Sequence, residues 1–198
     1  MKTVFFDIDT QLDFLYPAGA LYVPGAERIV PGIARLNRYA GRNGIPVVST
    51  TDAHSEDDVE FKTWPRHCVA GTMGQHKAES TLLEKRVVIP NRACDVVGAL
   101  STGGAQQIVV EKQTVDAFAT LNLGRILERL HADRYVVYGV VTEICVLYAA
   151  RGLLKTGKPV VVVTDAIEGL KAEDSQRALE EIQASGGALE TLGQIALD

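Results

Sequence analysis

Short β-branched and aromatic runs alternate along this chain with stretches whose apolar residues recur at helical spacing, and that alternation leaves few folds open. Strands are expected near residues 2–8, 45–51, 106–111, 134–140 and 159–164, with a weaker one near 187–191. Helices are expected near 26–42, 121–131, 143–156 and 173–185. The first of these carries Ile29, Ile33, Leu36 and Tyr39 at helical spacing, with Gly44 placed to close it and Pro46 to launch the next strand. Strands and helices in this succession are the signature of βαβ units, whose parallel sheet must be covered on both faces. The fold class expected is therefore α/β: three-layer and Rossmann-like, with a central, mostly parallel sheet flanked by helices on both faces. A length of 198 residues, without internal repeat or long linker, suits one domain over 1–198.

Composition excludes several function classes. The net charge of −5 is modest and Lys and Arg are dispersed, so neither nucleic acid nor an anionic membrane is an expected partner. The apolar runs are too short to span a bilayer. The amino terminus reaches Asp7 and Asp9 at once and reads as a strand, not a signal peptide. Three cysteines without framework spacing point to a reducing, cytoplasmic setting, with Cys68 and Cys94 as free thiols. The first strand is followed by no G-x-G-x-x-G or P-loop, which argues against a nucleotide-binding module.

The most informative junction is Val136–Cys145, where an apolar run ends at Val141 and Thr142 stands as the expected N-cap of the next helix. Cys145 then falls in an opening helical turn, where free N–H groups and the dipole favour thiolate over thiol and can hold an oxyanion. The alternative is a small buried cysteine packing the junction. Two other strand ends weigh against it. The first strand runs into Asp9 and the middle one into Lys112. Parallel sheets align their carboxyl ends along one edge, where ligands bind. Asp9, Lys112 and Cys145 are thus expected to meet there: an acid to take the thiol proton, a cation to favour the anion, and a nucleophile for acyl transfer.

A second constellation follows the strand Ile45–Thr50. In an extended segment Asp52 and His54 point the same way, so they can share one ligand, and Glu60 and His67 lie within reach of a looping chain. Imidazole with carboxylate suits Zn²⁺, Fe²⁺ or Mn²⁺ without choosing among them. The competing reading is an acidic, solvated loop, to which Glu56, Asp57 and Asp58 also contribute. Residues 53–80 are long for a connection, and such loops are often functional. His76 and His131 are read as surface or helix-end histidines without a role.

Taken in order, Asp9-x-Gln11-x-Asp13-Phe14, Val23-Pro24-Gly25-Ala26, Asp52-x-His54, Trp64-Pro65-Arg66-His67-Cys68-Val69-x-Gly71-Thr72, Lys112 and Gly139-x-x-Thr142-x-x-Cys145 resemble the isochorismatase-like cysteine hydrolases, and among them the nicotinamidases. The pieces span nearly the whole chain, so the resemblance implies a single isochorismatase-like hydrolase domain over 1–198. It implies a catalytic triad of Asp9, Lys112 and Cys145, a cis Val140–Val141 peptide, and an oxyanion hole from the N–H groups of Val141 and Cys145. It implies one divalent metal ion (Zn, Fe or Mn) on Asp52, His54 and His67, with Glu60 chosen as fourth ligand over Asp57 or Asp58. That ion would hold a pyridine nitrogen and orient water. Phe14, Trp64, Phe118 and Val140 are assigned to the substrate pocket, although Phe14 and Phe118 suit a plain core equally well. The activity implied is hydrolysis of a small-molecule amide, nicotinamide to nicotinate and ammonia, through a thioester. One departure stands out: the segment Lys112–Phe118 is shorter than in typical nicotinamidases and resembles relatives with other small amides. The rivals are an amidase for a carbamoyl or ureido compound and a non-enzymatic binding or thiol redox-sensing module. Oligomeric state is left open, a homo-oligomer included.

Overall fold

The computed structural model describes residues 1–101 and 104–195. Among these, seven strands form one sheet: β1 (Thr3–Ile8), β2 (Val47–Asp52), β3 (Arg86–Ile89), β4 (Gln107–Lys112), β5 (Arg134–Val140), β6 (Val160–Glu168) and β7 (Ala188–Glu190). Their order is β3-β4-β2-β1-β5-β6-β7, and every pairing is parallel. The helices are α1 (Leu12–Leu15), α2 (Val30–Arg42), α3 (Val96–Ser101), α4 (Leu123–Leu130), α5 (Leu147–Leu154) and α6 (Ala172–Ala184).

Alternation along the central strands divides the core between two faces. Phe5 stacks near Tyr39 of α2, and Tyr138 donates to Asn37 of the same helix. Their neighbours Phe6 and Tyr135 meet edge to face on the other side, where Tyr135 lies beside Leu127 of α4. The strands β1, β2 and β5 are buried almost throughout, as a sheet covered on both faces requires. One buried polar network crosses the α2 face. Asp7 accepts from Thr10, Asn37 and Ser49, and Lys77 Nζ stands 3.4 Å away.

Several elements differ from expectation. β3 was not expected: it is a four-residue edge strand, exposed at Arg86 and Val88, and so lacks the apolar run of a central strand. α3 spans six residues, too few to establish a helical period. The stretch 26–42 divides into a 3₁₀ turn at Ala26–Arg28 and α2, whose first turn holds Pro31, where a missing N–H is no loss. β6 extends past 164 to Glu168 because pairing with β5 resumes beyond a bulge, Gly139 opposite Ile167. His131 ends α4 in the left-handed region at φ 48°.

β1 lies where the strand order reverses, with β2 on one side and β5 on the other. Crevices at such points are the usual ligand sites of open α/β sheets. At this seam a Cβ on Gly139 (φ 121°) would lie 2.1 Å from the Ile8 carbonyl oxygen, so only glycine lets β5 approach β1 so closely. The Val140–Val141 peptide that follows is cis.

Candidate active site

The carboxyl ends of β1, β2, β4 and β5 bring the expected residues together. Lys112 Nζ stands 2.9 Å from Asp9 Oδ2 and 3.8 Å from Cys145 Sγ. It also lies 2.5 Å from Asp52 Oδ1, because Asp52 and Lys112 are register partners on β2 and β4. All four residues are buried.

The nucleophile's setting departs from expectation in part. Thr142 makes no capping bond and the N-cap position falls to Val141; Thr142–Val146 forms a π-helical turn leading straight into α5, and Cys145 sits in this opening turn as expected. Burial raises the Cys145 thiol well above its ordinary range, and the Asp9 and Asp52 carboxylates add to the shift against the pull of Lys112. The helix start is expected to favour thiolate and Asp9 to take the thiol proton; burial opposes the first effect. Burial alone would lower Lys112, but Asp52, Asp9 and Cys145 outweigh it and hold the ammonium charged.

Asp52, His54 and His67 turn one ligand atom each toward a common point, all within 4.8 Å of one another. The loop after β2 folds back to make this possible: the His54 N–H donates to Cys68 O, and the Ala70 N–H donates to His54 O. Outer partners fix both rings. His54 Nδ1 lies 3.0 Å from Asp58 Oδ2, and His67 Nδ1 lies 2.7 Å from the Pro65 carbonyl oxygen. Each ring therefore presents Nε2 to Asp52 Oδ2, at 3.9 Å in both cases. His54 Nε2 is buried without a hydrogen-bond partner. Burial pushes the Asp52 carboxyl up to about 7, against the opposing charge of Lys112. An orphaned imidazole nitrogen beside a desolvated carboxylate, each ring held from behind, fits a divalent cation.

A small cavity, about 20 Å³ in volume, lies beside this group. Asp52, Glu60, His67 and Cys145 form its polar end, and Phe14, Trp64, Leu21, Val23, Val115, Ile144 and Leu170 supply apolar wall. Glu60, expected as a metal ligand, lines the cavity without joining the Asp52–His54–His67 group. Two pocket expectations are corrected. The side chain of Phe118 lies against Gly152 of α5, and Val115 from the same short loop takes the wall position. Val140 is a fully buried strand residue, and Val141 lines the cavity instead.

Some supporting residues carried no assigned role in the sequence reading. The Gln11 side-chain amide donates to Asp52 O and its oxygen accepts the Asp52 N–H, clamping the end of β2. Asp13 accepts the N–H of Cys68 and so holds the segment bearing His67. Gln11 and Asp13 belong to the opening motif, which was their only signal; Asp58 was weighed as an inner ligand or as part of an acidic, solvated loop.

A doubly wound sheet with a thiol, an acid and a lysine converging at its carboxyl edge defines an enzyme of the amidohydrolase class. Within that class the chain belongs to the isochorismatase family, whose domain matches residues 3–194. It is 28% identical to the nicotinamidase of Escherichia coli (strain K12), over 93% of this chain and 92% of that protein. It is 26% identical to the nicotinamidase/pyrazinamidase of Mycobacterium tuberculosis (strain ATCC 25618 / H37Rv), over 90% and 92% of the two chains. The pyrazinamidase of Pyrococcus horikoshii, solved in complex with zinc, superposes with a TM-score of 0.81 at 29% identity, covering 96% of this chain and 99% of that one. Among the described residues no helix is long and apolar enough to cross a membrane.

Proposed function

We propose that this enzyme is a metal-assisted cysteine amidohydrolase that converts nicotinamide and water to nicotinate and ammonia. One observation carries the reading: an apolar cavity has at its polar end Cys145, with Lys112 beside it bridging to Asp9, and Asp52 and His67 of the Asp52–His54–His67 group. Phe14 and Trp64 are the aromatic walls on which a flat ring would stack, its carboxamide toward the thiol.

In this mechanism Asp9 Oδ2 takes the Cys145 proton as Sγ attacks the carboxamide carbon. The N–H groups of Val141 and Cys145 receive the oxyanion. Asp9 returns the proton to departing ammonia, leaving a thioester on Cys145. Asp9 then accepts a proton from the water that hydrolyses it. Lys112 stays charged throughout and offsets whichever of Asp9 and Cys145 is anionic. Asp52, His54 and His67 would hold one divalent ion, Zn, Fe or Mn, supplying a Lewis acid for a ring nitrogen and for water. The three unpaired cysteines accord with a reducing cytoplasm.

The test is ammonia release from nicotinamide, pyrazinamide, ureidoacrylate, biuret and maleamate, with metal content measured by mass spectrometry. Turnover of the two ring carboxamides by a metal-loaded protein is expected. A metal-free protein that hydrolyses a ureido compound and ignores nicotinamide would overturn the assignment.

A further inference from the structure

The two oxygens of Asp9 are not equivalent. Oδ1 accepts a 2.6 Å hydrogen bond from Thr50 Oγ1, and the same hydroxyl oxygen accepts the Asp9 N–H at 3.2 Å. Oδ2 is buried, makes no hydrogen bond, and lies 2.9 Å from Lys112 Nζ. The backbone at Asp9 is in the left-handed region, φ 48°.

We propose that Thr50 is a positioning residue that commits Oδ1 of Asp9 and thereby leaves Oδ2 as the oxygen that takes the Cys145 proton. The inference rests on the assignment of Asp9 as proton acceptor. A hydroxyl has one proton to give. Here that proton goes to Oδ1 while a lone pair is occupied by the Asp9 N–H, so the hydroxyl cannot rotate away and the carboxylate cannot swing about its own axis. In the step itself the Sγ–H bond breaks, the Oδ2–H bond forms, and the sulfur keeps the electron pair that attacks the carbonyl. Thr50 is itself held in place: it is fully buried in β2, and its carbonyl accepts from Lys77 Nζ at 3.2 Å, the lysine beside Asp7. Neither Thr50 nor Lys77 lines the cavity, so a binding role is not available to them.

The experiment compares Thr50→Val, Thr50→Ser and Asp9→Asn on nicotinamide, or on whichever amide of the panel the wild type hydrolyses fastest. Valine keeps the volume of threonine and removes both hydrogen bonds; serine keeps them. Thr50→Val should lower kcat per folded molecule about 10- to 100-fold, the scale expected when a reacting group is misplaced, with KM unchanged. Thr50→Ser should recover most of that loss. Melting curves for each variant correct for folded fraction. Wild-type kcat in Thr50→Val, or an equal loss in Thr50→Ser, overturns the proposal. The two assignments fail differently: near-wild-type turnover by Asp9→Asn removes the acceptor role and this inference with it, whereas an inactive Asp9→Asn beside an unaffected Thr50→Val removes only the inference.

Discussion

Asp52 and Lys112 stand opposite each other on neighbouring parallel strands, with Asp52 Oδ1 2.5 Å from Lys112 Nζ and Oδ2 turned toward His54 and His67. One carboxylate thus belongs both to the candidate metal group and to the charges around the thiol. His54 belongs only to the first. Asp52→Asn and His54→Ala should both lose the bound ion and the turnover of nicotinamide. Only Asp52→Asn should also speed iodoacetamide labelling of Cys145 in chelator-treated protein, since Asp52 is one of the carboxylates raising that thiol. Identical labelling rates in the two variants would mean that the groups are not coupled through Asp52.

Chelation itself should separate substrates. Removing the ion is expected to weaken binding of pyridine carboxamides in particular, because a ring nitrogen lone pair has lost its acceptor. Benzamide, which fits the same walls without that nitrogen, should be a poor substrate throughout. Comparable rates for nicotinamide and benzamide would count decisively against a metal at Asp52, His54 and His67. His67→Ala should lose both ion and activity, and Glu60→Ala should be milder, since Glu60 stands outside that group.

Cys145→Ala should fold and fail to turn over, because a methyl cannot attack. Cys68→Ala and Cys94→Ala should keep most activity, although Cys68 is fully buried and its loss is expected to lower stability. Asp9→Asn should cost on the order of 10²–10⁴-fold in rate, the range of a general base. Lys112→Ala should be comparably severe, since it leaves Asp9 and Asp52 facing each other without a counter-charge. The measurement is single-substrate kinetics on folded protein; wild-type turnover by Cys145→Ala would refute the mechanism.

The short loop after β4 should govern substrate fit through Val115, not Phe118. Val115→Phe is expected to raise KM by filling the cavity, while Phe118→Ala should leave KM unchanged and lower the melting temperature through lost packing on Gly152. An increase in KM confined to Phe118→Ala would show the wall assigned to the wrong residue.

Alkaline stability offers a test away from the site. Tyr138 is buried, with its hydroxyl on Asn37, and burial followed by the nearby Asp7 raises it well above 10. Its protonated form is common to folded and unfolded chains below about pH 10, so stability is unaffected there. Above that, the unfolded tyrosine releases a proton that the folded one keeps, so stability falls with pH, by about 1.4 kcal/mol per unit for this group. Cys68 and Cys145, also raised by burial, should begin the decline near pH 9. Urea unfolding of Tyr138→Phe should show lower stability near neutrality and a shallower loss above pH 10; an unchanged slope would acquit Tyr138.

The amino-acid order was enough to determine the alternation of strands and helices, the parallel sheet, and the strand ends carrying Asp9, Lys112 and Cys145, because periodicity and chain direction are local properties. The pairing of Asp52 with His54 was legible for the same reason: residues two apart in an extended segment share a side. Tertiary structure alone decided the rest. The edge strand β3 and the Val115 wall depend on which surfaces neighbours leave open, which no local pattern records. Thr50 behind Asp9 is a short polar residue whose role exists only once separate strands meet, and Asp58, four residues past His54, reaches that ring only because the loop turns back. The thiol is the sharpest case: its placement near a helix start favours the anion, while burial and the Asp9 and Asp52 carboxylates push the Cys145 thiol up. Desolvation is a property of the packed interior, and no local pattern records it.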